Sequence, residues 1–195
     1  MNVLRERDLD SERYTYGDYK TWFDGLRWEL IDGEAFCMSP APRAVHQSVL
    51  GNLFTELKIY FKGKKCRVFM SPFDVLLPNG DESEDETETI VQPDILILCD
   101  ESKLRSFGIV GAPDVVFEIL SPSTLARDTE KKLFLYERSG VKEYFIADID
   151  RKLITAYRRG GDGLSFSNRA VYRNSDSLSF QTFEELKIPL GSIWE

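Results

Sequence analysis

The stretch VVFEILSPST, Val115 to Thr124, decides how this chain is read. Val115, Val116, Phe117, Ile119 and Leu120 form a short apolar run, and Ser121-Pro122 closes it. Such a run, rich in β-branched and aromatic side chains, predicts a strand buried on one or both faces. Glu118 interrupts it. An ionised carboxylate in that setting is costly unless an opposing charge meets it. The rest of the chain has to supply that charge.

The preceding strand candidate carries the same anomaly. Asp94 opens PDILIL (Pro93–Leu98), where every later residue is apolar. Neighbouring strands lie about 4.8 Å apart, so Asp94 and Glu118 can point into one pocket. Two acids that close raise each other's pKa unless a divalent cation offsets both charges. A few oxygen ligands with positions left open suit Mg²⁺ or Mn²⁺.

A helix is predicted from about Leu125 to Arg138, stopped by Ser139-Gly140. Asp128, Lys132, Tyr136 and Gly140 follow at intervals of four, which puts the first three on one face. Lys131 points about 100° away and is the solvent-facing lysine of the two. Spacing alone also allows Lys132 to be the surface partner of Asp128.

Around these segments the chain reads as an α/β fold with a mixed central sheet flanked by helices. A hairpin is expected at Asp32-Gly33, and a helix with a Val49, Leu50, Leu53, Leu57 and Tyr60/Phe61 stripe is expected to stop at Gly63. CRVFMSPFDVLL reads as one strand, and KEYFIADID and RKLITAYRRG as two more. The 195 residues predict a single domain, and no apolar run is long enough for a membrane span. The first residues lack the apolar stretch of a signal peptide. Cys37, Cys66 and Cys99, odd in number and widely spaced, predict buried reduced thiols in a cytoplasmic protein.

The net charge of −8 is concentrated: DESEDETE (Asp81–Glu88) holds six acids and no base. That composition predicts a solvated, mobile loop without a catalytic part. A basic cluster, Lys58, Lys62, Lys64, Lys65 and Arg67, is equally a solvated surface or a face for phosphates.

QPDILILCD, GAPDVVFEILSPST, the Asp128-Lys132-Tyr136-Gly140 series, KEYFIADID and the earlier WELIDGEAFCMSPAP with His46 together resemble the Uma-two family of restriction-endonuclease-like chains, in the PD-(D/E)XK nuclease superfamily. The resemblance runs from about Tyr14 to Tyr157 and implies a restriction-endonuclease-like core there, with 158–195 as an extension. It implies a metal-dependent phosphodiesterase acting on nucleic acid, most simply a DNA endonuclease on duplex DNA. Asp94 would match the superfamily aspartate and Glu118 the acid of (D/E)-x-K, with the Ile119 carbonyl as a further metal ligand. The chain departs from that pattern at Leu120, where a lysine is expected, and Lys132 on the following helix takes its place.

Glu34 matches a family position that contributes a further acid, and is equally a surface residue at the hairpin end. His46 reads as a packed or capping histidine before a phosphate contact. Analogy with enzymes that cut both strands implies a homodimer. The missing lysine at 120 leaves open a nucleic-acid-binding protein without activity, and the pocket alone would also suit a hydrolase of a small phosphorylated substrate.

Overall fold

The computed structural model describes residues 13–38, 43–121, 127–161 and 163–195. A one-turn helix, α1 (Tyr16–Tyr19), precedes the hairpin of β1 (Trp28–Ile31) and β2 (Glu34–Cys37). Asp32 and Gly33 link the hairpin with φ of 52° and 77°, the positive values that a tight hairpin turn requires at both positions. A Cβ on Gly33 would lie 2.8 Å from the Arg13 side chain, a second reason for glycine there. Helix α2 (Ala44–Phe61) then buries Val49, Leu50, Leu53, Leu57 and Phe61, the stripe the spacing predicts, and Gly63 follows at φ 75°.

CRVFMSPFDVLL is two strands rather than one. It divides at Ser71-Pro72 into β3 (Arg67–Met70) and β4 (Asp74–Leu76), which join different sheets. Pro72 has no N–H to give a ladder, so pairing cannot run through it. Two further strands are too short to show in the sequence pattern: β5 (Ile90–Val91) and, after β6 (Ile95–Leu98), β7 (Gly108–Val110). The strand that carries Glu118 is β8 (Val115–Ile119). After it come α3 (Lys132–Ser139), β9 (Glu143–Asp148), β10 (Leu153–Arg158), β11 (Asn168–Arg173) and the pair β12 (Ser177–Ser179) and β13 (Lys187–Pro189). The predicted start of the third helix at Leu125 lies outside the described residues. From Arg127 to Lys131 the chain winds as a π-helix before α3.

The fold is mixed α/β, with its strands divided between two main sheets. One has the order β2-β1-β5-β4-β7 and the other β11-β10-β9-β8-β6-β3. Strands β8 and β9 are parallel and α3 lies between them in the chain, whereas β6 pairs antiparallel with β8. Side chains alternate along β8. Val115, Phe117 and Ile119 pack with α2 residues such as Leu53, while Val116 packs with Leu135 and Tyr136 of α3. Glu118 shares the parity of Val116 and therefore faces α3. Burial on both faces keeps that strand in register.

The extension beyond 157 adds β11 to the six-stranded sheet, and its Leu178, Phe180, Ile188, Ile193 and Trp194 fill the α2-side core. The structure corrects two other expectations. DESEDETE is held down at several points. Tyr16 and Gly17 donate backbone hydrogen bonds to the carbonyls of Thr87 and Asp85, Glu84 pairs with Arg105, and Thr87 is fully buried. Asp81, Asp85 and Glu86 are exposed, Glu82, Glu84 and Glu88 are half-buried, and the backbone with the interleaved threonine serves the fold. Finally, Cys66 and Cys99 form a disulfide and Cys37 is exposed. The antiparallel register Arg67↔Leu98 brings the two partners face to face, a pairing that cysteine spacing alone does not encode. Among the described residues no helix is long and apolar enough to cross a membrane.

Candidate active site

Glu118 is 3% exposed, and the charge that opposes it comes from α3. Lys132 Nζ lies 2.8 Å from Glu118 Oε1, and Tyr136 donates its hydroxyl to the same oxygen at 2.9 Å. The interval of four on α3 thus delivers both side chains to one carboxylate. Lys131, one residue earlier, is half exposed and pairs at 2.8 Å with Glu34 while lying over the Phe36 ring. Glu34 therefore stands on the surface at the hairpin end, and the cluster around Glu118 does not include it. The side chain of Asp128 lies outside what the structure describes.

A third acid completes the buried group. Glu29, on β1 of the other sheet, is fully buried; its Oε1 accepts from Lys132 Nζ at 2.9 Å and from the Gln92 backbone N–H at 2.9 Å. The sequence reading missed it, although its signal was present: Trp28-Glu29-Leu30-Ile31 is a carboxylate in an apolar strand just as Glu118 is. Buried charges of this kind persist only when each is met by charge and hydrogen bonds, as they are here.

Asp94 sits just before β6. The antiparallel register that ends at Ile95↔Phe117 brings it to the end of β8 that carries Glu118 and Ile119. Its Oδ2 accepts the Ile119 backbone N–H at 2.7 Å and lies 3.4 Å from Nε2 of His46, a buried residue in the first turn of α2. His46 is thus packed, as expected, but against this carboxylate. Asp94, Glu118 and Glu29 thus gather around Lys132 and His46, the buried basic side chains that the described residues bring to them. Among the described residues no three His, Cys, Asp or Glu side chains group tightly enough to hold a metal ion by themselves. In type, the Asp94 and Glu118 carboxylates and the Ile119 carbonyl are hard oxygen donors suited to a divalent cation that keeps water or substrate oxygens as its other ligands.

A polar network stands behind Glu29. The Gln92 side chain donates to Asp74 Oδ1 at 2.8 Å and accepts from Arg27 at 2.6 and 3.0 Å. Burial pushes the Asp74 carboxyl above its usual range, against the opposing hydrogen bonds from Gln92 and Tyr19 and the charge of Arg27. Burial, and then the charge of Asp74, push the Tyr19 hydroxyl up to about 12. Gln92 thereby ties the backbone that holds Glu29 to a fixed neighbourhood.

Comparison with known proteins agrees with this architecture. A protein described as "Uncharacterized protein slr1290" from Synechocystis sp. is 26% identical over 149 residues, which cover 75% of this chain and 74% of that protein. The crystal structure described as a putative nuclease belonging to DUF820, from Anabaena variabilis, aligns with a TM-score of 0.71 at 18% identity. It covers 92% of this chain and 97% of its own, and at that identity the likeness is one of fold. The model of the Uma2 family, described as "Putative restriction endonuclease", matches residues 16–191, most of the length, and the chain belongs to that family.

Proposed function

We propose that the chain is a metal-dependent phosphodiesterase that cleaves nucleic acid, with duplex DNA as its substrate. The observation that carries this reading is the buried Glu118–Lys132 pair, with Asp94 held at 2.7 Å by the backbone N–H of the next residue, Ile119. The family description and the likeness to the Anabaena structure, described as a putative nuclease, support it.

Asp94, Glu118 and the Ile119 carbonyl would hold Mg²⁺ or Mn²⁺. When bound, such a cation supplies Lewis acidity toward a phosphate oxygen and lowers the pKa of a coordinated water. The protein's own groups do the rest. Lys132 would hold its ammonium toward the phosphate, offsetting the negative charge that grows during attack, or orient the attacking water. Glu29 and Glu118 aim that ammonium from two sides, and the Tyr136 hydroxyl keeps Glu118 in place. His46 would steady Asp94. A homodimer would present two such sites to the two strands of a duplex.

The test is cleavage of plasmid DNA by the purified full-length chain in Mg²⁺, in Mn²⁺ and in EDTA. Nicked or linear product that needs the metal and disappears in Glu118→Gln is the expected outcome. Binding of DNA without cleavage in any metal would instead assign the fold to recognition alone.

A further inference from the structure

A second feature lies away from the carboxylate cluster. Between the C-terminal half of α2 and β3 runs a groove of about 670 Å³ with Phe54, Phe61 and Val68 in its wall. Lys58, Lys62, Lys64 and Arg67 stand around it, all exposed. In a chain of net charge −8 this is an exceptional concentration of positive charge.

The state of those lysines matters more than their number. Lys20, Lys131, Lys132 and Lys142 each hold a carboxylate. Among the described residues no carboxylate is ion-paired with Lys58, Lys62 or Lys64, and Arg67 has only Glu101, at 3.8 Å. Lys64 lies 3.2 Å over the Tyr60 ring and Lys58 5.8 Å over that of Phe54. Such contacts steady a cation without neutralising it.

We propose that this groove binds the phosphate backbone of the nucleic acid on one flank of the cleavage site, an inference that rests on the nuclease reading above. The distances suit it. Ser71, whose N–H meets the Asp94 carbonyl, is four residues along the chain from Arg67. At about 3.3 Å per residue the groove begins about 13 Å from the level of Asp94. A duplex carries a phosphate about every 3.4 Å of axis on each strand, so that span is about four nucleotides. The lysines take phosphate charge, and sequence-independent contacts of this kind fix register along the duplex.

The test uses the full-length chain and a 30-base-pair duplex in EDTA, with affinity followed by fluorescence anisotropy against salt. The triple variant K58Q/K62Q/K64Q should bind about tenfold or more weakly, with a log–log salt slope shallower by about 2.7, as for three lost phosphate contacts. The corresponding triple arginine variant should keep the wild-type slope. If wild type cleaves plasmid while the glutamine variant binds with unchanged affinity and slope, the groove proposal is overturned and the nuclease reading stands. If wild type neither binds nor cleaves DNA, both fall together. Lysine-dependent binding to phosphatidylserine vesicles, with none to the duplex, would give the groove to a membrane surface and also overturn the proposal.

Discussion

Lys132 Nζ stands 2.8 Å from Glu118 Oε1 and 2.9 Å from Glu29 Oε1, joining two sheets and a helix through one buried ammonium. Its removal therefore acts on the fold as well as on any chemistry. Lys132→Met leaves two buried carboxylates without their shared counter-charge and should destabilise the protein by about 3–5 kcal/mol in urea unfolding. From the sequence, this substitution would be expected to spare the fold, because the burial of both partners is not visible there. Lys131→Met removes an exposed pair and should cost less than about 1 kcal/mol. Equal effects of the two substitutions would contradict the assignment of the buried lysine.

Asp74 offers a pH test of the network behind Glu29. Its folded carboxyl titrates above the ordinary value of 3.8, so the folded state holds this proton to higher pH than the unfolded chain does. Stability from this group is therefore greatest at low pH and falls as pH rises from below the unfolded value through the folded one. In Asp74→Asn the amide oxygen would still accept from Gln92 and Tyr19, without the buried charge. That variant should accordingly be more stable than wild type at pH 7, with the difference closing toward pH 3. A variant that is less stable at pH 7, by the same urea assay, would show that the carboxylate is a net asset.

How much of this was legible follows from particular residues. The short apolar run closed by Ser121-Pro122 placed Glu118 in a buried strand, and the interval of four brought Lys132 and Tyr136 together, because both are local patterns. The register between β6 and β8 was not legible, because β6 is apolar and buried at every position and a one-residue slip leaves its pattern unchanged. The partners that come from afar were hidden. Glu29 reaches Lys132 across 103 residues and between sheets, a contact that no local pattern encodes. The disulfide between Cys66 and Cys99 depends likewise on the pairing of strands 33 residues apart, and two strands of two and three residues are too short to leave a periodic signal.

That disulfide yields a prediction of its own. It closes a loop of 33 residues, for which loop entropy gives about 3–4 kcal/mol of stabilisation. Reduction, or the double substitution to serine, should lower the melting temperature by about 10 °C in a chain of this size. An unchanged melting temperature under reducing conditions would mean that the two thiols are not joined.

The acidic segment separates charge from backbone. Replacing the exposed Asp81 by its amide should leave stability within about 0.5 kcal/mol. Deleting 82–88 removes the carbonyls that anchor Tyr16 and Gly17 and the buried Thr87, and should lower the melting temperature clearly. A deletion that melts like wild type would restore the picture of a free loop.

In the function proposed above, Asp94, Glu118 and Lys132 form one hydrolytic site. The most direct test is plasmid cleavage in Mg²⁺ by wild type, Glu118→Gln and Asp94→Asn, each first shown to be folded by circular dichroism. Metal-dependent nicking or linearisation by wild type is expected, lost on adding EDTA and reduced at least a hundredfold in both variants. Cleavage at the wild-type rate by either folded variant would contradict that proposal.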